Sequence, residues 1–130
     1  MIKFKTKRIA KEYLHPDLSD DLLSIICILS AYCWLEFKKH ITLTCIHRTQ
    51  EEQDNIYLNS KKHKKQYKLS PWYSVHQFWR GCDIRSKNFT KKERDKIVTF
   101  LNMITYDTKY KTAINHTVGL GKHFHIQTKE

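Results

Sequence analysis

Residues 74–83 read Ser-Val-His-Gln-Phe-Trp-Arg-Gly-Cys-Asp, and this stretch organises the fold predicted for the rest of the chain. Its histidine, His76, and its last residue, Asp83, can meet at one metal ion where a loop enters a strand. A third ligand must then come from a neighbouring strand, and His125 near the C-terminus can supply it. Two imidazoles and one carboxylate suit a borderline divalent cation such as zinc and leave one coordination position open for chemistry.

The segments that carry these ligands are predicted to be strands. Residues 81–85 alternate apolar and polar side chains, which directs Asp83 away from the core. Residues 112–116 and 122–128 also have strand character, and the Val-Gly-Leu-Gly sequence between them can form a tight turn. In the second strand of this hairpin, the two histidines of residues 123–125 are two positions apart and therefore project from the same face.

The remaining segments predict an α+β fold. A helix begins after capping residues at 17–20 and ends near residue 38, and residues 41–46 alternate as a half-buried strand. Helices over 50–59 and 91–103 each follow a Thr-x-x-Glu capping box. Residues 60–73 show no periodicity, so a charged loop that forms one wall of a cleft is predicted there. Together these segments predict a small, mostly antiparallel sheet packed with three helices.

Length and composition predict one globular unit. The 130 residues fit a single domain over residues 1–130, in which residues 1–16 form a basic N-terminal arm. This arm lacks the apolar run and the cleavage site of a signal peptide. The most apolar stretch, residues 22–35, is too short to cross a bilayer. We therefore expect cytoplasmic synthesis without a signal peptide, no membrane span, and a monomer.

The cysteines predict reduced thiols. Each of them falls singly inside an apolar segment, and none belongs to a C-x-x-C pair. Core thiols are therefore favoured over disulfides for Cys27, Cys33, Cys45 and Cys82.

In their order along the chain, these motifs resemble the zinc peptidases that cut cell-wall peptides. That group includes D-alanyl-D-alanine carboxypeptidases and phage endolysins, and it shares its fold with the Hedgehog signalling domain. Ser74, His76 and Asp83 match the S-x-H-x6-D motif of the group, and residues 123–125 match its late H-x-H motif. Residues 47–53 are similar to the R-T-x-x-E-Q stretch that precedes the first ligand in the group.

The resemblance implies hydrolysis of an amide bond in peptidoglycan stem peptides, with Zn²⁺ held by His76, Asp83 and His125. It also implies that Arg48 contacts the substrate or the developing oxyanion. The alternative for this arginine is a surface ion pair with a glutamate of the following helix. A phage lysis enzyme of this kind would reach the cell wall on lysis, without a signal peptide.

The general base departs from the resembling family. Many members place a carboxylate three positions before the last ligand, where this chain has Lys122. A lysine cannot replace a carboxylate base, so the proton must be carried by His123 or by His116 across the hairpin. Histidine is the side chain that most often carries such a proton in enzymes.

Charge and aromatic content keep other functions open. The net charge of +11 implies an anionic partner, although the lysine run at 61–65 also fits a solvated loop. Aromatic residues at 72–79 beside basic residues are similar to a stacking platform for single-stranded nucleic acid. A nucleic-acid-binding protein or metal-dependent nuclease is therefore one alternative. A non-catalytic metal-binding domain of the same fold is another.

Overall fold

The computed structural model describes residues 1–104, 112–117 and 122–129, apart from the side chains of 115–117. Helices and strands alternate along this chain, and the predicted α+β class is confirmed. The elements are β1 (Ile2–Phe4), α1 (Lys7–Tyr13), α2 (Asp20–Phe37), β2 (Ile41–Cys45), α3 (Gln50–Leu58), α4 (Lys64–Leu69), a short 3-10 helix (Val75–Phe78), β3 (Gly81–Arg85), α5 (Lys91–Met103), β4 (Ala113–Thr117) and β5 (Lys122–Gln127).

The strands form one mixed sheet in the order β1-β2-β3-β5-β4. Strand β1 runs parallel to β2, and the other pairings are antiparallel, as the sequence predicts for most of the sheet. The register of β3 against β5 places Asp83 directly opposite His125, and Arg85 opposite His123. Sheet pairing alone therefore brings an aspartate and a histidine that are distant in sequence to one point near the centre of the sheet.

The largest helix, α2, begins where the sequence predicts. The side chain of Ser19 accepts a hydrogen bond from the backbone N–H of Leu22 and caps the helix. Leu22, Ile26 and Leu29 are fully buried against the sheet, and each such side chain contributes about 1.5–3 kcal/mol to folding. The opposite face is not covered, since Leu35 is 70% exposed. The helix is therefore amphipathic in the fold, although its sequence is apolar nearly all round.

The predictions of three helices and of a basic arm were wrong. The described residues contain five α-helices, and the predicted loop at 60–73 includes α4. Residues 1–16 are part of the fold, because Ile2 pairs with Ile41 at the edge of the sheet and α1 follows. Both missed helices are short, and each buries a single side chain, Ile9 or Tyr67, so neither has the apolar stripe that reveals a helix in sequence. No helix in the described part of the chain is long and apolar enough to span a membrane.

Gly81 joins the 3-10 helix to β3, and the packing there leaves no room for a side chain. A Cβ atom at Gly81 would overlap Cγ2 of Val75 and would lie 3.4 Å from the carbonyl oxygen of Ile126. We expect Gly81→Ala to lower the free energy of unfolding by about 1–3 kcal/mol, the usual cost of overpacking. Urea denaturation of the variant measures this loss.

A double-mutant cycle separates this overlap from a general effect of the substitution. Val75→Ala in the Gly81→Ala background removes the atom that would be overlapped, so it should recover most of the loss. Additive losses in the double variant, or an unchanged midpoint in Gly81→Ala, would contradict the steric explanation.

Candidate metal centre

A capped 3-10 helix presents His76. Ser74 precedes this helix, and its hydroxyl accepts a hydrogen bond from the backbone N–H of His76 at 3.3 Å. The side chain of Gln77 in turn accepts from the backbone N–H of Ser74 at 2.9 Å. Trp79 ends the helix in the left-handed region, with φ of 59°. This local structure turns the His76 side chain into the protein, where it is only 2% exposed.

The corner between β2 and α3 holds the His76 loop by three hydrogen bonds. The backbone N–H of Arg48 donates to the carbonyl of His76 at 3.2 Å. The imidazole Nδ1 of His76 lies 2.9 Å from the carbonyl oxygen of Ile46. The amide of Gln77 donates to the side chain of Gln50 at 2.9 Å. Residues 46–50, which overlap the segment that resembles the R-T-x-x-E-Q stretch, therefore hold the loop that carries His76.

The side chain of Arg48 is engaged within this corner. Its Nη1 donates to Oε1 of Gln53 at 2.8 Å, and Gln53 donates to the carbonyl of Trp72 at 3.0 Å. Glu52, one possible partner of Arg48, instead forms a bidentate ion pair with Arg8. Gln53 is 1% exposed, and sequence reasoning gave it no role. The sequence gives no signal for this burial, because Gln50, Glu51 and Asp54 around it in the helix are also polar.

Three imidazoles converge on one oxygen atom of Asp83. The distances to Oδ1 are 3.3 Å from Nε2 of His76, 3.0 Å from Nδ1 of His125 and 3.6 Å from Nε2 of His123. Asp83 is 7% exposed, so the carboxylate is largely shielded from water. The structure thus brings the three predicted ligands together, and it places the predicted acid-base histidine beside them.

The hydrogen bonds around the rings fit metal ligation. The Nδ1–H of His76 can donate to the Ile46 carbonyl, and the Nε2–H of His125 can donate to Oε1 of Gln127 at 3.2 Å. Each ring then presents an unprotonated nitrogen toward Asp83, which is the usual arrangement of ligand histidines and their outer partners. Ligands at roughly 2.0–2.1 Å from a tetrahedral ion are about 3.3 Å apart. The separations from the Asp83 oxygen lie close to this value.

Without a cation, protons must balance the charge of Asp83. Burial by itself raises the pKa of Asp83, but hydrogen bonds from His125 and His76 outweigh it and hold the pKa well below its ordinary value. Burial by itself lowers the pKa of His76, but contacts with Asp83 and Cys45 raise it to about 10. The cluster therefore favours one positive charge next to the carboxylate, and a divalent cation can take that place.

Cys45 also belongs to this cluster. Together, Cys45, His76 and Asp83 could hold a metal ion, because their ligand atoms all lie within 4.8 Å of one another. The Sγ of Cys45 is 3.7 Å from Nδ1 of His76. Cys45 is half-buried at this site and Cys27 is exposed, so the prediction of a core thiol was wrong for both and is confirmed for Cys33 and Cys82.

A bulge explains why the sequence pattern misplaces Cys45. Leu43 pairs with Ile84, so an unbroken antiparallel ladder would set Cys45 opposite Cys82, on the core face. The register instead shifts by one residue and pairs Cys45 with Asp83. Such a shift moves a side chain to the other face of a sheet. The alternation of apolar and polar residues along β2 does not reveal this bulge.

Of the two candidates for the general base, the structure describes the side chain of only one. His123 lies in β5 with its side chain beside Asp83. His116 lies in β4 with its backbone opposite His123, but its side chain is outside the described residues. Lys122 is exposed at the start of β5, on the opposite face from His123. A carboxylate at position 122 would therefore not face the cluster in this register.

No protein-family model, curated protein or solved structure gives a significant match to this chain.

Proposed function

We propose that this chain is a zinc-dependent peptidase that hydrolyses an amide bond in peptidoglycan stem peptides, as a carboxypeptidase or as an endolysin. Zinc would be held by His76 Nε2, Asp83 and His125 Nδ1. The observation that carries the proposal is the approach of two ring nitrogens to Asp83 Oδ1, at 3.3 Å from His76 Nε2 and 3.0 Å from His125 Nδ1, with the other nitrogen of each ring at hydrogen-bond distance from an oxygen atom. When bound, zinc supplies a Lewis acid and lowers the pKa of coordinated water.

Hydrogen bonds within the chain would orient the proposed ligands before a metal ion binds. The Ile46 carbonyl and the Gln127 amide oxygen fix the ring orientation of the two ligand histidines. Asp83 supplies the only carboxylate in this ligand set, so a bound divalent cation keeps a net positive charge. That charge favours negative charge that develops on a carbonyl oxygen of the substrate.

Proton transfer is assigned to His123. Its Nε2 lies 3.6 Å from Asp83 Oδ1, and the same strand carries the ligand His125. A histidine in this position can accept a proton from the attacking water and pass it to the leaving amine. Arg48, held beside the His76 loop by Gln53, is the cation available to a carboxylate or carbonyl of the substrate.

The test is release of amine from purified peptidoglycan fragments. We expect hydrolysis by the zinc-loaded protein, loss of hydrolysis with a chelator, and recovery when zinc is added back. His63→Gln is the matched control because His63 contacts Tyr57 and Trp72 rather than the cluster, and it should hydrolyse the fragments at the wild-type rate. Mass spectrometry of the products identifies the bond that is cut. Zinc binding without hydrolysis of any fragment would contradict the peptidase and favour a non-catalytic metal-binding domain.

A basic surface favours a second candidate, a nucleic-acid-binding protein or metal-dependent nuclease. Five lysines at and before α4 have exposed side chains, and none of them forms an ion pair with another described residue: Lys61, Lys62, Lys64, Lys65 and Lys68. Tyr73 and Phe78, whose ring centroids are 6.4 Å apart, are also exposed. Affinity for DNA or RNA that falls steeply with salt, together with inactivity on wall fragments, would select this candidate.

A further inference from the structure

An open groove of about 740 Å³ lies between α2 and α5. Tyr32 of α2 and Phe100 of α5 line it, and their rings stack in parallel with centroids 4.1 Å apart. Met103 lines the groove as well, together with five charged side chains: Glu36, Lys91, Lys92, Asp95 and Lys96. None of these residues belongs to the candidate metal centre.

Apolar side chains beside this groove are exposed to solvent. Leu35 and Met103 are 70% and 65% exposed, and Ile28 is 44% exposed. Ile28 lies four residues before Tyr32 and Leu35 lies three residues after it, so the three side chains are neighbours on one face of α2. Exposed apolar patches bordered by polar residues mark sites that bind another protein or a membrane.

The charges beside the apolar side chains indicate an anionic partner. Three lysines line the groove with two carboxylates, and none of these five side chains forms an ion pair with another described residue. The net charge of +11 on the whole chain adds to this local excess of lysine. Lysines that surround exposed apolar side chains are typical of surfaces that bind anionic lipid headgroups.

We propose that this part of the protein binds the surface of an anionic lipid bilayer. The α2–α5 face consists of Ile28 and Leu35 on α2 and of Lys92, Lys96 and Met103 on α5. Its apolar side chains enter the boundary between headgroups and acyl chains, and its ammonium groups contact lipid phosphates. The inference goes beyond the proposed peptidase and does not depend on it.

A bilayer fits the α2–α5 face better than a partner helix that lies in the groove. Ile28 and Leu35 are not among the residues that line the groove, so a helix confined to it would leave both side chains in water. A lipid surface extends beyond the groove and covers them. The exposed apolar side chains on both helices are then explained by one partner.

The test is cosedimentation of the full-length protein with lipid vesicles at low ionic strength, where screening by salt is weak. We expect binding to vesicles made of equal parts of phosphatidylglycerol and phosphatidylcholine. Binding to phosphatidylcholine alone should be at least about tenfold weaker. Chelator-treated protein should bind equally well, because no residue of the α2–α5 face belongs to the metal centre. Failure of the peptidase would therefore leave this result unchanged.

Paired lysine variants separate the α2–α5 face from the net charge of the chain. Lys92→Gln combined with Lys96→Gln should weaken binding to the anionic vesicles by at least about tenfold, since each lysine near such a surface contributes about fivefold. The control removes the same charge from α4, and Lys64→Gln combined with Lys65→Gln should weaken binding much less. Asp95→Asn should strengthen binding, which a folding defect cannot produce.

A leucine pair tests the apolar contribution. Leu35→Ser should weaken vesicle binding by about tenfold, because the burial of a leucine side chain is lost. Leu14→Ser removes an exposed leucine outside the α2–α5 face and should keep the wild-type affinity. Equal losses in the two lysine pairs, or unchanged binding in Leu35→Ser, would overturn the inference. Absence of binding to anionic vesicles would also overturn it and would favour an acidic helix of a partner protein in the groove.

Discussion

Replacing His76 or Asp83 with alanine is expected to abolish stoichiometric zinc binding. In the proposed site each residue supplies one of three ligand atoms, and removal of an outer-shell partner alone usually costs 10–100-fold in metal affinity. Loss of a direct ligand should therefore weaken binding by at least about 100-fold. Metal analysis of the purified variants, followed by competition with a chromophoric chelator, measures the change.

The control for this experiment is a histidine outside the cluster. His63→Gln removes an imidazole that packs against Tyr57 and Trp72, so it should keep the wild-type stoichiometry. Because Asp83 is buried, Asp83→Asn should accompany the alanine variant as a closer match in shape. Circular dichroism identifies any variant that fails to fold. A folded His76→Ala or Asp83→Asn protein that still binds one equivalent of zinc at wild-type affinity would contradict the proposed ligand set.

The sequence predicts the parts of the site that depend on local pattern. The alternation in residues 81–85 and 122–128 correctly separates core side chains from site side chains, since Cys82, Ile84, Phe124 and Ile126 are all fully buried. Both capping boxes form as predicted, at Thr49 and Thr90. The proximity of His76 and His125 to Asp83 could be predicted because each of these residues lies in a motif with a defined spacing.

The parts that the sequence does not predict depend on contacts between distant segments. Cys45 reaches the site through a bulge against β3, and no feature of β2 alone distinguishes a bulged strand from a regular one. Gln53 is buried because Trp72 and Arg48 bond to it, and neither contact follows from helical periodicity. Strand β1 consists of three residues whose pairing with β2 depends on the tertiary fold.

The position of Lys122 shows why one position of the family motif cannot be carried over to this chain: in β5 its side chain faces away from Asp83. The resembling family places its carboxylate three residues before the last ligand, but here that position is exposed at the start of β5. Adjacent side chains of a strand point to opposite faces, so Lys122 and His123 cannot both face Asp83. In the proposed peptidase, proton transfer would therefore come from the histidine face of β5 or from another element.

His123→Gln is accordingly expected to lower the rate of amide hydrolysis by about 10²–10⁴-fold, the usual contribution of a positioned acid-base group. Zinc content should stay at one equivalent, because the predicted ligands His76, Asp83 and His125 remain in place. The measurement is amine release from wall fragments by the zinc-loaded variant, with metal analysis of the same sample. Glutamine keeps the polarity and much of the volume of histidine but cannot exchange a proton near neutral pH.

The combination of activity and metal content decides the role of His123. Its Nε2 is only slightly farther from Asp83 Oδ1 than the nitrogens of the two proposed ligand histidines, at 3.6 Å against 3.3 and 3.0 Å, so ligation by His123 is the main competing role. Loss of zinc in His123→Gln would make His123 a ligand, with His125 as the residue left to carry the proton. Retained zinc with full activity would leave His116 as the general base, and His116→Gln is then the variant in which activity should fall.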